Sequence, residues 1–172
     1  LFSFQNVSKA TAFGFEVEGR KKLTTRFTLQ ANGSYINSKT KDAALNVDRP
    51  LQGQSPYLIN TGLLYDVVEK GFNMTVLFNQ VGKRIYLVGD LQAGAATPDV
   101  FENPRALVDF QISKKFAENK AEIRFTISDI LNQRQIFYQN NNSNSDYSAG
   151  SDAIRFSRKF GTTFGVTLNY SL

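Results

Sequence analysis

The chain has no cysteine, no histidine and no tryptophan, and only one methionine and four prolines among its 172 residues. Without cysteine there is no disulfide framework and no thiol chemistry. With histidine missing as well, neither a proton shuttle poised near neutral pH nor a zinc site of nitrogen and sulfur ligands can be built, which removes conventional hydrolases and zinc enzymes. Long apolar runs are also absent: glycine aside, the longest is Ile85 to Val88. A membrane-spanning helix needs roughly 20 apolar residues in succession, so no helix of this chain crosses a bilayer. The length is that of one domain or of a piece of a larger one. The chain opens at Leu1 with no initiator methionine, signal segment or lipidation motif, and we therefore expect either a removed leader or further chain upstream.

What the sequence has is alternation. Phe13, Phe15 and Val17 take turns with Gly14, Glu16 and Glu18; Phe27, Leu29, Ala31, Gly33 and Tyr35 with Thr28, Gln30, Asn32 and Ser34. Tyr57, Ile59, Thr61, Leu63 and Tyr65 form the odd face of a third segment, in which Leu58 and Leu64 blur the register. The pattern returns at Phe72 to Asn79, at Ala106 to Ser113, at Glu122 to Ser128, and through Phe164, Val166, Leu168, Tyr170 and Leu172 at the C-terminus. Period two over so many segments means half-buried strands. The connections differ in length by turns: Lys21 to Thr25, Val67 to Gly71 and Phe116 to Lys120 are short, whereas about Thr40 to Pro56, Tyr86 to Pro104 and Gln139 to Asp152 are long. In a meander this puts tight turns at one end and long loops at the other. Leu1 to Gln5 resembles the end of one more strand, returning through Asn6 to Ala10. The expected fold class is all-β, an antiparallel meander of about seven to eight long strands.

A soluble barrel hides the apolar face of such strands inside, and a membrane barrel turns it to lipid. Polar faces rich in Asn, Gln, Thr, Ser, Glu and Arg suit a wet lumen. The expected strands, Arg26 to Lys39 and Ile154 to Leu172 among them, exceed the 3–10 residues usual in globular proteins. Tyr65, Phe72, Phe116 and Tyr170 fall near the short turns, and Tyr35, Tyr57 and Phe78 near the long loops, as two interfacial belts would. Aromatics also pack in soluble strands, so a lipocalin-like ligand-binding barrel remains a rival, as do a complete eight-stranded outer-membrane barrel and a barrel adhesin.

AFGFEVEGRKKL (Ala12 to Leu23), LQGQSPYLINTGLLYD (Leu51 to Asp66), NQVGKRIYLVG (Asn79 to Gly89), FENPRALVDFQISKKF (Phe101 to Phe116) and SDILNQRQIFYQN (Ser128 to Asn140) resemble, in order, the late barrel of Bacteroidetes-type TonB-dependent outer-membrane receptors. Ile130 to Asn132 is similar to the family's N-L-F-N motif, with Asp129 in place of the first Asn and Leu131 in place of Phe. The resemblance implies that residues 1–172 are a C-terminal segment, about strands 15–22, of a 22-stranded barrel with a plugged lumen. It also implies the partners: outer-membrane lipid, the receptor's own plug and earlier strands, the TonB complex acting through the plug, the outer-membrane assembly machinery and a surface lipoprotein. That machinery would read Phe164, Val166, Leu168, Tyr170 and Leu172 as a C-terminal signal, although the family usually ends on an aromatic residue and this chain ends on Leu172.

No cofactor, metal or nucleic-acid partner and no enzymatic activity is expected. Glu16 and Glu18 share a strand face at a spacing open to paired acid and base work, and lumen-facing charges are the more ordinary reading. Asp146 and Asp152 could offer calcium oxygen donors, or simply belong to a solvated loop. Gly82-Lys83-Arg84 lacks the other residues of a phosphate loop. Position alone makes Arg49, Gln52, Gln54, Arg84, Asp90, Tyr138, Asn140 and Tyr147, on the long loops and upper lumen, the candidate substrate contacts.

Overall fold

In the computed structural model, which describes residues 9–42, 47–89, 97–141 and 146–171, every alternating segment is a strand. In chain order these are β1 (Lys9–Lys22), β2 (Phe27–Asp42), β3 (Val47–Arg49), β4 (Tyr57–Val67), β5 (Phe72–Val81), β6 (Arg84–Leu87), β7 (Val100–Glu102), β8 (Arg105–Phe116), β9 (Ala121–Ser128), β10 (Gln135–Gln139), β11 (Ala153–Arg158) and β12 (Thr163–Tyr170). The main sheet runs β1-β2-β4-β5-β8-β9-β12, with β3 beside β2 off that path. Each strand of the path pairs antiparallel with the next one along it, in chain order as a meander requires.

The register places like with like across the whole wall. Phe15 lies opposite Tyr35, Tyr35 opposite Tyr57, Leu29 opposite Leu63, Leu63 opposite Val76, Val76 opposite Phe110, Phe110 opposite Ile127 and Ile127 opposite Phe164. A one-residue slip at any pair would move a strand's apolar set to the other face. This settles β4: its odd residues join the apolar face, while Leu58 and Leu64 sit on the polar one, opposite Ser34 and Thr28. The polar face carries the hydrogen bonds. Asn32 Nδ2 donates to Glu16 Oε1 at 2.5 Å, Asn60 Nδ2 to Asn32 Oδ1 at 3.2 Å, and Asn79 Nδ2 to Asn60 Oδ1 at 2.5 Å, a ladder over four strands.

The apolar face is bare. Phe13 is 72% exposed and Val166 71%, and among the described apolar residues only Val67, Ile85, Val100, Ala121, Phe137 and Tyr138 are buried. The main sheet thus contributes almost nothing to a conventional core. Hollows of about 390 and 560 Å³ open instead on the polar face, beside Glu18, Arg20 and Asp109 and beside Lys115, Glu122 and Arg124.

The short connections are tight as expected. Thr24 Oγ1 accepts from the amides of Arg26 and Phe27 at 3.2 and 3.0 Å. A 3-10 turn, Val68–Lys70, stops at Gly71 (φ 56°), where a Cβ would lie 2.9 Å from that of Lys115. Ala117, Glu118 and Asn119 turn the chain with φ of 52°, 56° and 69°. Of the aromatics expected near the short turns, the rings of Tyr65 and Phe72 lie 6.1 Å apart, with Phe27 4.7 Å from Tyr65, and Phe116 and Tyr170 both lie opposite Ala121. Above, Phe15 joins Tyr35 at 5.7 Å. Phe78, however, pairs with Thr61 and Val108 in the middle of the wall and does not belong to the upper belt.

The long connections are not plain loops. β6, β7, β10 and β11 form a second sheet in the order β11-β10-β7-β6, and each prolongs a strand of the main sheet past a break. Ile154 to Leu172, expected as one strand, is therefore two, interrupted at residues 159–162 where Gly161 takes φ 87°. The break between β9 and β10 turns on Asp129 (φ 53°). Its amide donates to Asp109 Oδ1 at 2.8 Å, its Oδ2 accepts from Arg105 Nη1 at 2.9 Å, and its carbonyl accepts from Thr162 Oγ1 at 3.0 Å. The stretch similar to the receptor motif is thus a knot tying β8, β9 and β12. Lys9 and Ala10 already belong to β1, so they are not part of a preceding hairpin; the strand expected at Leu1 to Gln5 lies outside the described residues.

If the bare face meets hydrocarbon, Val166→Arg lowers stability in lipid vesicles by about 2–4 kcal/mol, the midplane value. Thr167→Arg, on the polar face opposite Arg124, costs no more than about 1 kcal/mol for the like-charge pair. Urea unfolding of the two variants measures the difference.

Candidate functional site

The second sheet holds the chain's only packed apolar cluster among the described residues, since Ile85, Val100, Phe137 and Tyr138 all lie there. Its pairing sets two rows on one face. Arg84 and Phe137 both lie opposite Glu102, Gln135 opposite Arg158, and Phe137 opposite Phe156. In the lower row Arg84 Nε donates to Glu102 Oε2 at 2.7 Å, Gln135 Nε2 to Glu102 Oε1 at 2.5 Å, and Arg158 Nε to Gln135 Oε1 at 2.6 Å. In the upper row the Phe137 and Phe156 rings stack at 4.2 Å, and Tyr86, released by an irregularity between Ile85 and Leu87, meets them edge-on at 4.6 and 5.6 Å. Arg158 lies over both Phe137 and Phe160, 5.5 and 5.4 Å from their ring centres.

The connection between β3 and β4 closes the free side of β6. Gly53, at φ 78°, donates its amide to the Ile85 carbonyl at 2.8 Å, and Gln52 Nε2 donates to the Tyr86 carbonyl at 2.9 Å. Between this connection and the two rows lies a cavity of about 440 Å³. It brings together Gln52 and Arg84 of the expected contacts and adds Tyr86, Glu102, Gln135, Phe137 and Arg158, which the sequence reading missed. Their signal was present: Gln135 and Phe137 share a strand face, as do Phe156 and Arg158, within segments read as parts of loops or of one long strand.

The other expected contacts are dispersed. Arg49 Nη1 bonds Asp99 Oδ1 at 3.0 Å, and the same oxygen accepts the Gly89 amide at 2.8 Å. Gln54 lines a separate hollow of about 230 Å³ with Lys83, whose ammonium lies 5.2 Å above the Phe101 ring. Asn140 follows β10 directly, and Asp90 lies outside the described residues. Tyr138 is 0% exposed on the opposite face, packed against Phe101 and Tyr147 at 6.0 and 5.0 Å, so it presents no surface to a solute.

The acidic candidates have local partners. Glu16 belongs to the asparagine ladder. Both oxygens of Asp152 accept backbone amides, Oδ1 from Asn141 at 3.0 Å and Oδ2 from Ser148 at 2.8 Å, so this carboxylate closes its loop. On the upper hairpin, the hydrogen bond and charge of Lys39 hold the Asp48 carboxyl below its usual range.

A wall that leaves its apolar side chains bare and hydrogen-bonds its polar ones over hollows defines a membrane β-barrel protein. Residues 1–170 match the outer membrane protein beta-barrel family, and the chain belongs to that family. Its place is the outer membrane of a Gram-negative bacterium. No curated protein and no solved structure matches it.

Among the described residues the buried Tyr138 hydroxyl has no hydrogen-bond partner, and burial, with the charges of Asp152 and Asp146, pushes its phenol up to about 12. The folded state therefore holds this proton more tightly than the unfolded one. Stability from this group is full below about pH 10, the ordinary tyrosine value, and falls as pH rises from there towards about 12, where the free-energy slope follows the difference in bound protons. Tyr138→Phe should abolish that alkaline slope and strengthen the second sheet by about 1–3 kcal/mol, the cost of an unsatisfied buried polar group. Amide hydrogen exchange along β10 reads both effects.

Proposed function

We propose that this chain is part of the barrel wall of a TonB-dependent active-uptake receptor, supplying its last strands, extracellular loops and C-terminal assembly signal. The observation that carries the reading is the open main sheet: among the described residues β1 pairs only with β2, and β12 only with β9. Unpaired backbone groups in hydrocarbon cost several kcal/mol each, so both edges of such a wall must find partners, and in this reading further strands of the receptor supply them. The ordered resemblance of five segments to the late barrel of these receptors supports the same reading.

In this reading lipid covers the bare apolar face, and the plug fills the lumen beside Glu18, Arg20 and Asp109. TonB acts through the plug, and the assembly machinery recognises Phe164, Val166, Leu168, Tyr170 and Leu172. A surface lipoprotein would meet the long connections. Substrate would pass Arg49, Gln52, Gln54, Arg84, Asp90, Asn140 and Tyr147 at the mouth. The role is transport, with no enzymatic step.

The rival is a small barrel closed within this chain. Because native cysteine is absent, introduced pairs report closure cleanly. Val166→Cys is combined with Val17→Cys on β1, and separately with Phe4→Cys in the segment expected to precede it. Phe164→Cys with Ile127→Cys, a registered pair of β12 and β9, serves as the positive control. The receptor reading predicts a disulfide in outer membranes for the control alone. A disulfide from Val166 to either partner would show a small closed barrel.

A further inference from the structure

The cavity on the second sheet has a composition that its structural role does not require. Arg84 and Arg158 each commit Nε to the lower row, one to Glu102 and the other to Gln135. The terminal guanidinium nitrogens of both make no hydrogen bond among the described residues. Among the described residues Glu102 is the one carboxylate lining the cavity against these two cations, so these walls carry a net positive charge. A guanidinium fork with its ends free is suited to a bidentate oxyanion. Arg158 is also held in position, its guanidinium lying over Phe137 and Phe160. Next to the fork stands an apolar wall, the edge-on Tyr86 against the Phe137 and Phe156 stack, with Tyr86 39% exposed. Gln52 offers a neutral polar group from across the cavity.

From this arrangement we propose that the cavity of about 440 Å³ between the β3–β4 connection and the second sheet binds a small carboxylate carried on a ring. The carboxylate engages the free ends of Arg84 and Arg158, and one face of the ring lies against Tyr86. Flat aromatic acids and acidic sugars both present this chemistry. The reading of the chain as an uptake receptor bears only on where such a ligand would go next; binding itself stands on the cavity.

The test uses the full chain purified in detergent and titrated calorimetrically with sodium benzoate and with sodium glucuronate. Benzyl alcohol and glucose are the neutral counterparts, and sodium phosphate is the bare anion. Saturable binding of at least one carboxylate is expected, about tenfold tighter than its neutral counterpart and than phosphate. Which of the two binds identifies the flat or the sugar ring. Arg158→Gln, at an exposed edge strand where folding is little at stake, should weaken binding about tenfold, and Arg158→Lys should not restore it, because the ammonium lacks the fork. Tyr86→Ala should weaken the ring-bearing carboxylate and leave phosphate unaffected. Equal affinity for a neutral counterpart or for phosphate, no saturable binding of either carboxylate, or unchanged binding in Arg158→Gln would overturn the proposal. Retention of the fold in each variant is checked by heat-dependent gel mobility. Binding as expected together with a Val166 to Val17 disulfide would sink the receptor reading and keep the site.

Discussion

A strand that enters hydrocarbon must find a protein partner for every backbone N–H and C=O, and must turn only apolar side chains to the lipid. Both demands fall on register. In this chain one register satisfies them together: from Phe15 opposite Tyr35 to Ile127 opposite Phe164, the pairs that align the backbone also align the apolar face. The asparagine ladder from Glu16 to Asn79 follows on the other side, because residues that pair across strands on one face are neighbours on that face. Stability then comes from lipid outside and from hydrogen bonds within, and the sheet has little need of a buried core.

Above the wall the rule changes. There the strands break at residues 82–83, 103–104, 129–134 and 159–162, and the short strands beyond them gather into a sheet that packs like part of a globular protein. Ile85, Phe137 and Tyr138 are buried, and Arg84, Glu102, Gln135 and Arg158 are joined in one hydrogen-bonded row. A rigid sheet of this kind holds Arg84, Arg158 and Tyr86 in fixed relation, which a mobile loop could not do. The wall therefore gives the upper sheet its place, and the upper sheet carries the chemical variety.

Period-two alternation, short turns and the identity of the two faces were legible in the sequence, because each is a local consequence of the pleat. The breaks were not, because segments beyond them, such as the apolar run Ile85 to Val88, carry no clean alternation that would mark a second set of strands. Asn103-Pro104 and Gly161 were signals of interruption that the pattern on either side concealed. Asp129 takes a positive φ without being glycine, held there by bonds to Asp109, Arg105 and Thr162, and those partners are distant in the chain. The cavity was half legible for the same reason. Gln52 and Arg84 could be chosen by position, whereas Glu102, Phe137 and Arg158 became neighbours only through pairings of the second sheet. Asp90, chosen with them, lies outside the described residues.

Which face of the main sheet meets lipid decides the rest, and site-directed spin labelling along β2 in vesicles measures this directly. Labels placed singly at residues 28 to 35 should show accessibility to oxygen, which concentrates in lipid, peaking at Leu29, Ala31, Gly33 and Tyr35. Accessibility to a water-soluble nickel complex should peak at Thr28, Gln30, Asn32 and Ser34, with period two and opposite phase. Two profiles in phase, or oxygen maxima at the even residues, would contradict a wall that turns this face to the membrane.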